Sequence, residues 1–262
     1  MNPVEHNRQA WNQQARAHCV WSRPVSPDVI ARARNGDWEV VLTPKRPVPA
    51  AWFGDLRGAR VLCLASGGGQ QAPVFAAAGA RVTSYDLSDE QLALDALVAR
   101  REQLDIRCMQ GDMGDLRALA DQSFDLVFHP VANVFAPDPC RVWRECHRVL
   151  RPGGALLAGF MNPDLFLFDH EIADRSGRLE VCHRLPYSDT ASLAGDRLQA
   201  KVARNEPLEF SHSLDIQIGG QLAAGFVIRG FYEDGSNDET WVFARHAPVA
   251  FATRATTPDV AC

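Results

Sequence analysis

Short apolar runs alternate with longer segments of mixed polarity between residues 60 and 160. We predict strands at residues 60–64, 81–85, 106–110, 124–128 and 155–160, and helices at residues 70–78, 88–104 and 139–150. Such β–α alternation is typical of an α/β fold with a doubly wound, mostly parallel sheet. Because ligands of these sheets bind beyond the carboxyl ends of the strands, the residues that follow each strand should converge on one crevice.

The first 55 residues do not follow this alternation. Helices are predicted at residues 7–19 and 28–34, and the prolines at positions 44, 47 and 49 indicate a stiff connector. Four tryptophans in this region (11, 21, 38 and 52) need a surface to cover. We interpret residues 1–55 as a helical lid over a cofactor-binding core of residues 56–160.

The alternation stops again between residues 161 and 210, which we interpret as an inserted substrate cover. Residues 179–185 alternate apolar and polar positions and predict an extra strand there. Residues 211–262 resume the pattern, with a helix predicted at 215–224 and strands at 226–232 and 249–254. They should complete a seven-stranded, Rossmann-like sheet whose last strand is antiparallel.

Composition narrows the class of protein. The chain has 262 residues, 46% of them hydrophobic, and a formal net charge of −5, which is ordinary for a globular enzyme and disfavours a nucleic-acid groove. No apolar run reaches the ~20 residues of a membrane span, and no signal-peptide core is present, so we expect a cytoplasmic monomer or homodimer. Cysteine and histidine spacings predict no metal site.

Three consecutive glycines, Gly67 to Gly69, directly follow the first predicted strand. Glycine permits positive φ angles and close approach of the backbone to a ligand. Asp86 lies 19 residues after Gly67, at the end of the second strand, where a carboxylate can accept hydrogen bonds from ribose hydroxyls. The sequence therefore predicts a nucleoside-containing cofactor, with NAD and S-adenosylmethionine both open. No Gly-Lys-Ser/Thr motif supports a nucleoside-triphosphate loop.

Five motifs in a fixed order separate these cofactors: residues 61–69 (Val-Leu-Cys-Leu-Ala-Ser-Gly-Gly-Gly), 82–88 (Val-Thr-Ser-Tyr-Asp-Leu-Ser), 111–113 (Gly-Asp-Met), 124–128 (Phe-Asp-Leu-Val-Phe) and 148–154 (Arg-Val-Leu-Arg-Pro-Gly-Gly). With them the chain resembles the class I S-adenosylmethionine-dependent methyltransferases, and more narrowly a bacterial subgroup of these enzymes. The resemblance implies that S-adenosylmethionine is bound by Ala65, Ser66, Gly67, Gly69, Gln71, Asp86, Leu87, Asp112, Met113 and His129. It implies ribose binding by Asp86 and adenine binding by Asp112 and Met113.

The chain departs from the family at two positions. Cys63 stands where the family usually has an acidic residue, and Ala65 where it usually has glycine. The acidic residue normally helps to organise the methionine end of the cofactor. Ser66, Gln70, Gln71 or carbonyls near His129 remain open as the anchor of the amino group.

Methyl transfer from a sulfonium is an in-line displacement, so positioning the acceptor is the main task, worth on the order of 7–11 kcal/mol. His129 follows the fourth strand and His212 follows the insertion, and either could act as a general base. Asn133, Asn162, Tyr187 and Gln217 are predicted to line the substrate pocket. We expect a small-molecule acceptor with a nitrogen or oxygen atom. The alternatives are an NAD-dependent oxidoreductase and a non-catalytic S-adenosylmethionine-binding protein.

Overall fold

A computed structural model describes residues 1–235 and 241–259. Its strands are β1 (Arg60–Leu64), β2 (Arg81–Asp86), β3 (Ile106–Gln110), β4 (Phe124–His129), β5 (Leu150–Met161), β6 (Val227–Asp234) and β7 (Ala250–Thr256). Over these described residues they form one seven-stranded sheet in the order β3-β2-β1-β4-β5-β7-β6. Strands β1 to β5 pair in parallel, and β7 is antiparallel to both β5 and β6. The predicted mostly parallel sheet with an antiparallel last strand is confirmed.

The helices outside the insertion lie near their predicted positions with shifted ends, and three helices within the insertion (α6 to α8) were not predicted. They are α1 (Pro3–Arg16), α2 (Pro27–Arg34), α3 (Gln71–Ala77), α4 (Asp89–Glu102), α5 (Pro139–Val149), α6 (His170–Ser176), α7 (Asp189–Ser192), α8 (Gly195–Ala203) and α9 (Gly220–Ala223). Helix α1 starts earlier than predicted because the Asn2 side chain caps it, accepting from the Val4 N–H. The helix predicted at 215–224 forms as a π-type turn, Asp215–Gly219, followed by α9. None of the described helices is long and apolar enough to cross a membrane.

Two apolar layers cover the sheet. On one face, Leu42 of the N-terminal segment and Phe75 of α3 belong to the cluster that contains Val61 and Leu157. Leu42 passes so close to Gly159 that a Cβ on this glycine would lie 2.1 Å from the Leu42 carbonyl oxygen. On the other face, side chains of α5 pack against β1, β4 and β5. The N-terminal segment is therefore part of the core on the first face.

The insertion differs from its prediction. Residues 179–185 do not form a strand, because only one isolated bridge, Phe168 with Val181, pairs this segment with a neighbour within the described chain. Helices α6, α7 and α8 supply its regular structure, and Phe166 and Tyr187 pack in a third apolar cluster. The predicted C-terminal part of residues 211–262 includes 236–240 and 260–262, which lie outside the described residues.

Candidate functional site

The glycine turn lies at the carboxyl end of β1 and is held by the end of β2. The Asp86 carboxylate accepts the Gly67 N–H at 3.0 Å through one oxygen and the Ser88 N–H at 2.9 Å through the other. Burial raises the pKa of Asp86, and these N–H donors oppose the shift. Each carboxylate oxygen retains a lone pair for a ligand hydroxyl. Ala65 enters the turn with a φ of 49°, in the left-handed region that favours glycine.

The start of α4 is capped by Ser88, and Gln91 does not complete a reciprocal capping box. Ser88 Oγ accepts the Gln91 N–H at 3.1 Å. The Gln91 side chain does not return to the Ser88 N–H, which Asp86 already satisfies, and donates to Ser22 Oγ at 2.8 Å instead. Gln91 therefore connects α4 to the N-terminal segment.

The N-terminal segment contacts the glycine turn directly. The Val25 N–H donates to the Gly69 carbonyl at 2.8 Å, and the Gln70 side chain donates to the carbonyls of Val20 and Arg23. A Cβ on Gly68 would lie 2.6 Å from the Trp21 carbonyl oxygen. This segment is thus packed on one side of the turn by backbone contacts that only glycine permits.

The Gly111-Asp112-Met113 motif, which follows β3, lies beside Asp86. The Gly111 N–H donates to the Asp86 carbonyl at 3.0 Å, and a Cβ on Gly111 would overlap the Tyr85 hydroxyl. Asp112 is half-buried and its Oδ1 accepts the Gly114 N–H at 2.9 Å. Met113 packs at the edge of the second apolar cluster. The strand ends thus bring Gly67, Asp86 and the residues of this motif to one edge of the sheet.

His129, Asn133 and Gln217 form a buried polar chain. The Nδ1 atom of His129 lies 3.0 Å from the Leu64 carbonyl oxygen, and Nε2 lies 2.8 Å from Asn133 Oδ1. The Asn133 side-chain N–H donates to Gln217 Oε1 at 3.0 Å. Burial lowers the pKa of His129. Both ring nitrogens face acceptor oxygens, so a neutral ring donates its one N–H to either the Leu64 carbonyl or Asn133 Oδ1. Both ring nitrogens are thereby engaged within the protein.

His212 is similarly engaged. Its Nε2 lies 2.8 Å from the Ala136 carbonyl, and its ring also contacts the Asn133 carbonyl. Burial lowers the pKa of His212 as well. A general-base role for either histidine stays a prediction, and these contacts weigh against it.

The predicted pocket residues do not all meet. Asn133 and Gln217 are together, whereas Asn162 donates to the Pro248 carbonyl at 2.8 Å and caps a short helical turn. Tyr187 lies in the insertion, where it borders a cavity of about 280 Å³. Aromatic and charged side chains surround this cavity, among them Phe166, Phe168, Asp169, His170, Asp189, Arg197 and Lys201.

Buried oxygen atoms at the turn test whether a polar ligand fits there. Within the described residues, Ser66 Oγ and Gln91 Oε1 are buried without a hydrogen-bond partner. Leaving such atoms unpaired costs about 1–3 kcal/mol each. Together with the carboxylates of Asp86 and Asp112, they suit a cofactor that carries hydroxyl and amine groups.

Three further residues at the site were not identified from the sequence. Asn12 accepts the Ser88 hydroxyl, Asp95 accepts the Gly69 N–H, and Asp189 accepts the Tyr187 hydroxyl. The sequence does contain a signal for Asp95. It lies between Leu92 and Val98 on the apolar face of α4, and a carboxylate buried on such a face needs hydrogen-bond donors.

Comparison with known proteins agrees with this geometry. A family model described as a methyltransferase domain matches residues 62–158. A Bacillus subtilis (strain 168) protein described as the uncharacterized methyltransferase YbaJ is 47% identical over 231 residues, covering 88% of this chain and 90% of the relative. The ubiquinone biosynthesis O-methyltransferase of Xanthomonas oryzae pv. oryzae (strain PXO99A) is 35% identical over 108 residues, 41% of this chain and 45% of the relative.

A solved structure, an S-adenosylmethionine dependent methyltransferase from Mesorhizobium loti, shares the fold. Its TM-score is 0.59 at 21% identity, over 79% of this chain and 94% of the other. These relatives do not favour an NAD-dependent oxidoreductase. The chain belongs to the class I S-adenosylmethionine-dependent methyltransferases, and S-adenosylmethionine is its cofactor.

Proposed function

We propose that this enzyme methylates a small molecule at a nitrogen or oxygen atom, and that the acceptor enters the cavity bordered by Tyr187. When bound, the cofactor supplies an electrophilic methyl group. We also propose that a core of residues 56–160 holds the cofactor through Ala65, Ser66, Gly67, Gly69, Gln71, Asp86, Leu87, Asp112, Met113 and His129. Residues 1–55 would act as its lid and 161–210 as the substrate cover.

The observation that carries the acceptor site is the cavity itself. Its 280 Å³ can hold a small metabolite, and its lining combines aromatic faces with charged groups. The wall that carries Tyr187 pairs with residues next to the loop after β4: the Ser211 N–H donates to the Tyr187 carbonyl, and the Phe210 N–H donates to Val134. This loop follows His129, at the carboxyl edge of the sheet. A relative named as an O-methyltransferase of ubiquinone biosynthesis supports a small acceptor.

In this proposal the polar chain from His129 to Gln217 orients the loop after β4. The His129 ring, with Nδ1 3.0 Å from the Leu64 carbonyl oxygen, fixes the end of β4 against the end of β1. The buried amides extend this support to the turn before α9. Acceptor positioning and exclusion of water then supply the rate enhancement.

The experiment screens candidate amines, phenols and carboxylates for acceptor-dependent release of S-adenosylhomocysteine. Leu193→Trp, which fills the cavity from its lining, should abolish this release while S-adenosylmethionine affinity stays at the wild-type value. Leu222→Trp, on the exposed face of α9, is the matched control. It should keep both the acceptor-dependent release and the S-adenosylmethionine affinity of the wild type. Wild-type turnover in Leu193→Trp would place the acceptor elsewhere, and a wild type that binds the cofactor but methylates nothing would favour the non-catalytic alternative.

A further inference from the structure

Asp95 is a fully buried carboxylate behind the glycine turn. It lies on α4, its Oδ1 accepts the Gly69 N–H at 2.7 Å, and its Oδ2 accepts the Ser84 hydroxyl at 2.6 Å. Ser84 is the register partner of Cys63 on the neighbouring strand. The carboxylate therefore lies between α4 and the first two strands, and its charge acts on Cys63.

The titratable groups that face Asp95 would all be negative when ionised. They are Asp86 at the end of β2, Cys63 on β1 and Cys108 on β3. Burial is the largest effect and raises the pKa of Asp95 to about 7, with the Ser84 and Gly69 donors opposing it and Asp86 adding to it. The hydrogen bonds from the Gly69 N–H and the Ser84 hydroxyl offset the free-energy cost of burying this carboxylate.

We propose that Asp95 is a positioning residue for the cofactor: it holds the glycine turn through Gly69 and places a buried negative charge behind it. This charge favours the cationic sulfonium of S-adenosylmethionine over the neutral thioether of S-adenosylhomocysteine. Charges in a protein interior are weakly screened, so a carboxylate that does not touch the ligand still discriminates between the two. Cys63 stands where an acidic residue is expected, and Asp95 brings a carboxylate from a helix close enough to act on Cys63.

This inference rests on the cofactor and is independent of the acceptor site. The ionised fraction of Asp95 rises as pH rises through about 7. Affinity for S-adenosylmethionine should therefore increase with pH more than affinity for S-adenosylhomocysteine. Both ligands carry the same α-amino group, so its own titration largely cancels in the ratio of the two affinities.

Calorimetry of the full chain with each ligand at pH 6 and pH 8 tests the inference. In the wild type, the ratio of S-adenosylmethionine to S-adenosylhomocysteine affinity should rise on the order of fivefold between these values. Asp95→Asn keeps an oxygen for the Gly69 N–H and removes the charge, so its ratio should stay constant with pH. Asp105→Asn removes an exposed carboxylate just after α4 and should behave as the wild type.

A second variant tests the same role independently if Asp95→Asn does not fold. Ser84→Ala removes the donor to Oδ2, so the midpoint of the wild-type pH profile should move to higher pH. A pH-dependent ratio retained in Asp95→Asn, or an unmoved midpoint in Ser84→Ala, would overturn the role of Asp95. A wild type that binds neither ligand would instead overturn the cofactor assignment on which the role depends.

Discussion

The Asp86 carboxylate and the Gly67 N–H, 3.0 Å apart, join the end of the second strand to the glycine turn. The bond fixes the position of a carboxylate whose two oxygens can each accept a further hydrogen bond. This contact explains why the spacing between the triple glycine and Asp86 in the sequence predicts that the two lie at one site. The two features meet because β1 and β2 are parallel neighbours with ends in register.

Asp86→Ala should weaken S-adenosylmethionine binding by about 1–3 kcal/mol, because it removes the acceptor proposed for the ribose hydroxyls and leaves the Gly67 N–H without its partner. Titration calorimetry measures this loss. Asp105→Ala, which removes an exposed carboxylate, should leave the affinity unchanged. An Asp86→Ala protein that keeps its fold and its full affinity would show that Asp86 is not the ribose ligand.

Ala65→Gly should stabilise the protein by up to about 1 kcal/mol. The φ of 49° at Ala65 is strained for a residue with a Cβ, and glycine removes that strain while adding some unfolded-state entropy. Urea unfolding gives the free energy. The same change at Ala76, inside α3, should destabilise by about 0.5–1 kcal/mol, so the two variants should move in opposite directions. Equal destabilisation in both would mean that Ala65 carries no strain.

The sheet and the cofactor motifs could be predicted because they depend on local signals. Apolar runs, glycines and a strand-terminal aspartate fix the strands β1 to β5 and the turn between β1 and α3. Contacts between distant segments carry no such signal, and Asn12 with Ser88 is an example. The false strand at residues 179–185 shows that alternation alone does not supply a partner strand. The involvement of both His129 ring nitrogens also depends on tertiary contacts.

Acid should destabilise the protein through its buried histidines. Burial lowers the pKa of His129, His170 and His212 below the ordinary value of 6.5. As pH falls through that value, the unfolded state binds protons that the folded state excludes, so stability present above it is lost below it. His129→Gln should reduce this loss by up to about 1.4 kcal/mol per pH unit.

Urea unfolding of His129→Gln and the wild type at pH 5, 6 and 7 measures the effect as a difference. The difference isolates the histidine from Asp95, whose raised pKa makes stability fall as pH rises between about 4 and 7. His246→Gln replaces an exposed ring and should follow the wild type. If the free energies of unfolding of His129→Gln and the wild type depend on pH in the same way, the pKa of His129 is the same in the folded and unfolded states.

Lys201 and Asp189 form a buried ion pair beside the cavity, with Nζ and Oδ2 2.7 Å apart and the two side chains 16% and 1% exposed. Lys201→Met should destabilise the protein by about 3–5 kcal/mol, because it leaves the Asp189 charge without its cation. Removing both charges in Asp189→Asn/Lys201→Met should recover only part of this loss, because Glu209 Oε2, 3.4 Å from Nζ in the wild type, still lacks its cation. Urea unfolding of the four proteins gives the coupling free energy.

The pair Arg117 and Asp115 is the matched control, because its arginine side chain is 86% exposed. Arg117→Met should cost at most about 1 kcal/mol. S-adenosylmethionine affinity should be the same in Lys201→Met as in the wild type, since the pair lies in the insertion and the proposed cofactor site lies at the strand ends. A cost for Lys201→Met no larger than that for Arg117→Met would mean that the cavity wall is hydrated and that this ion pair does not hold the cover together.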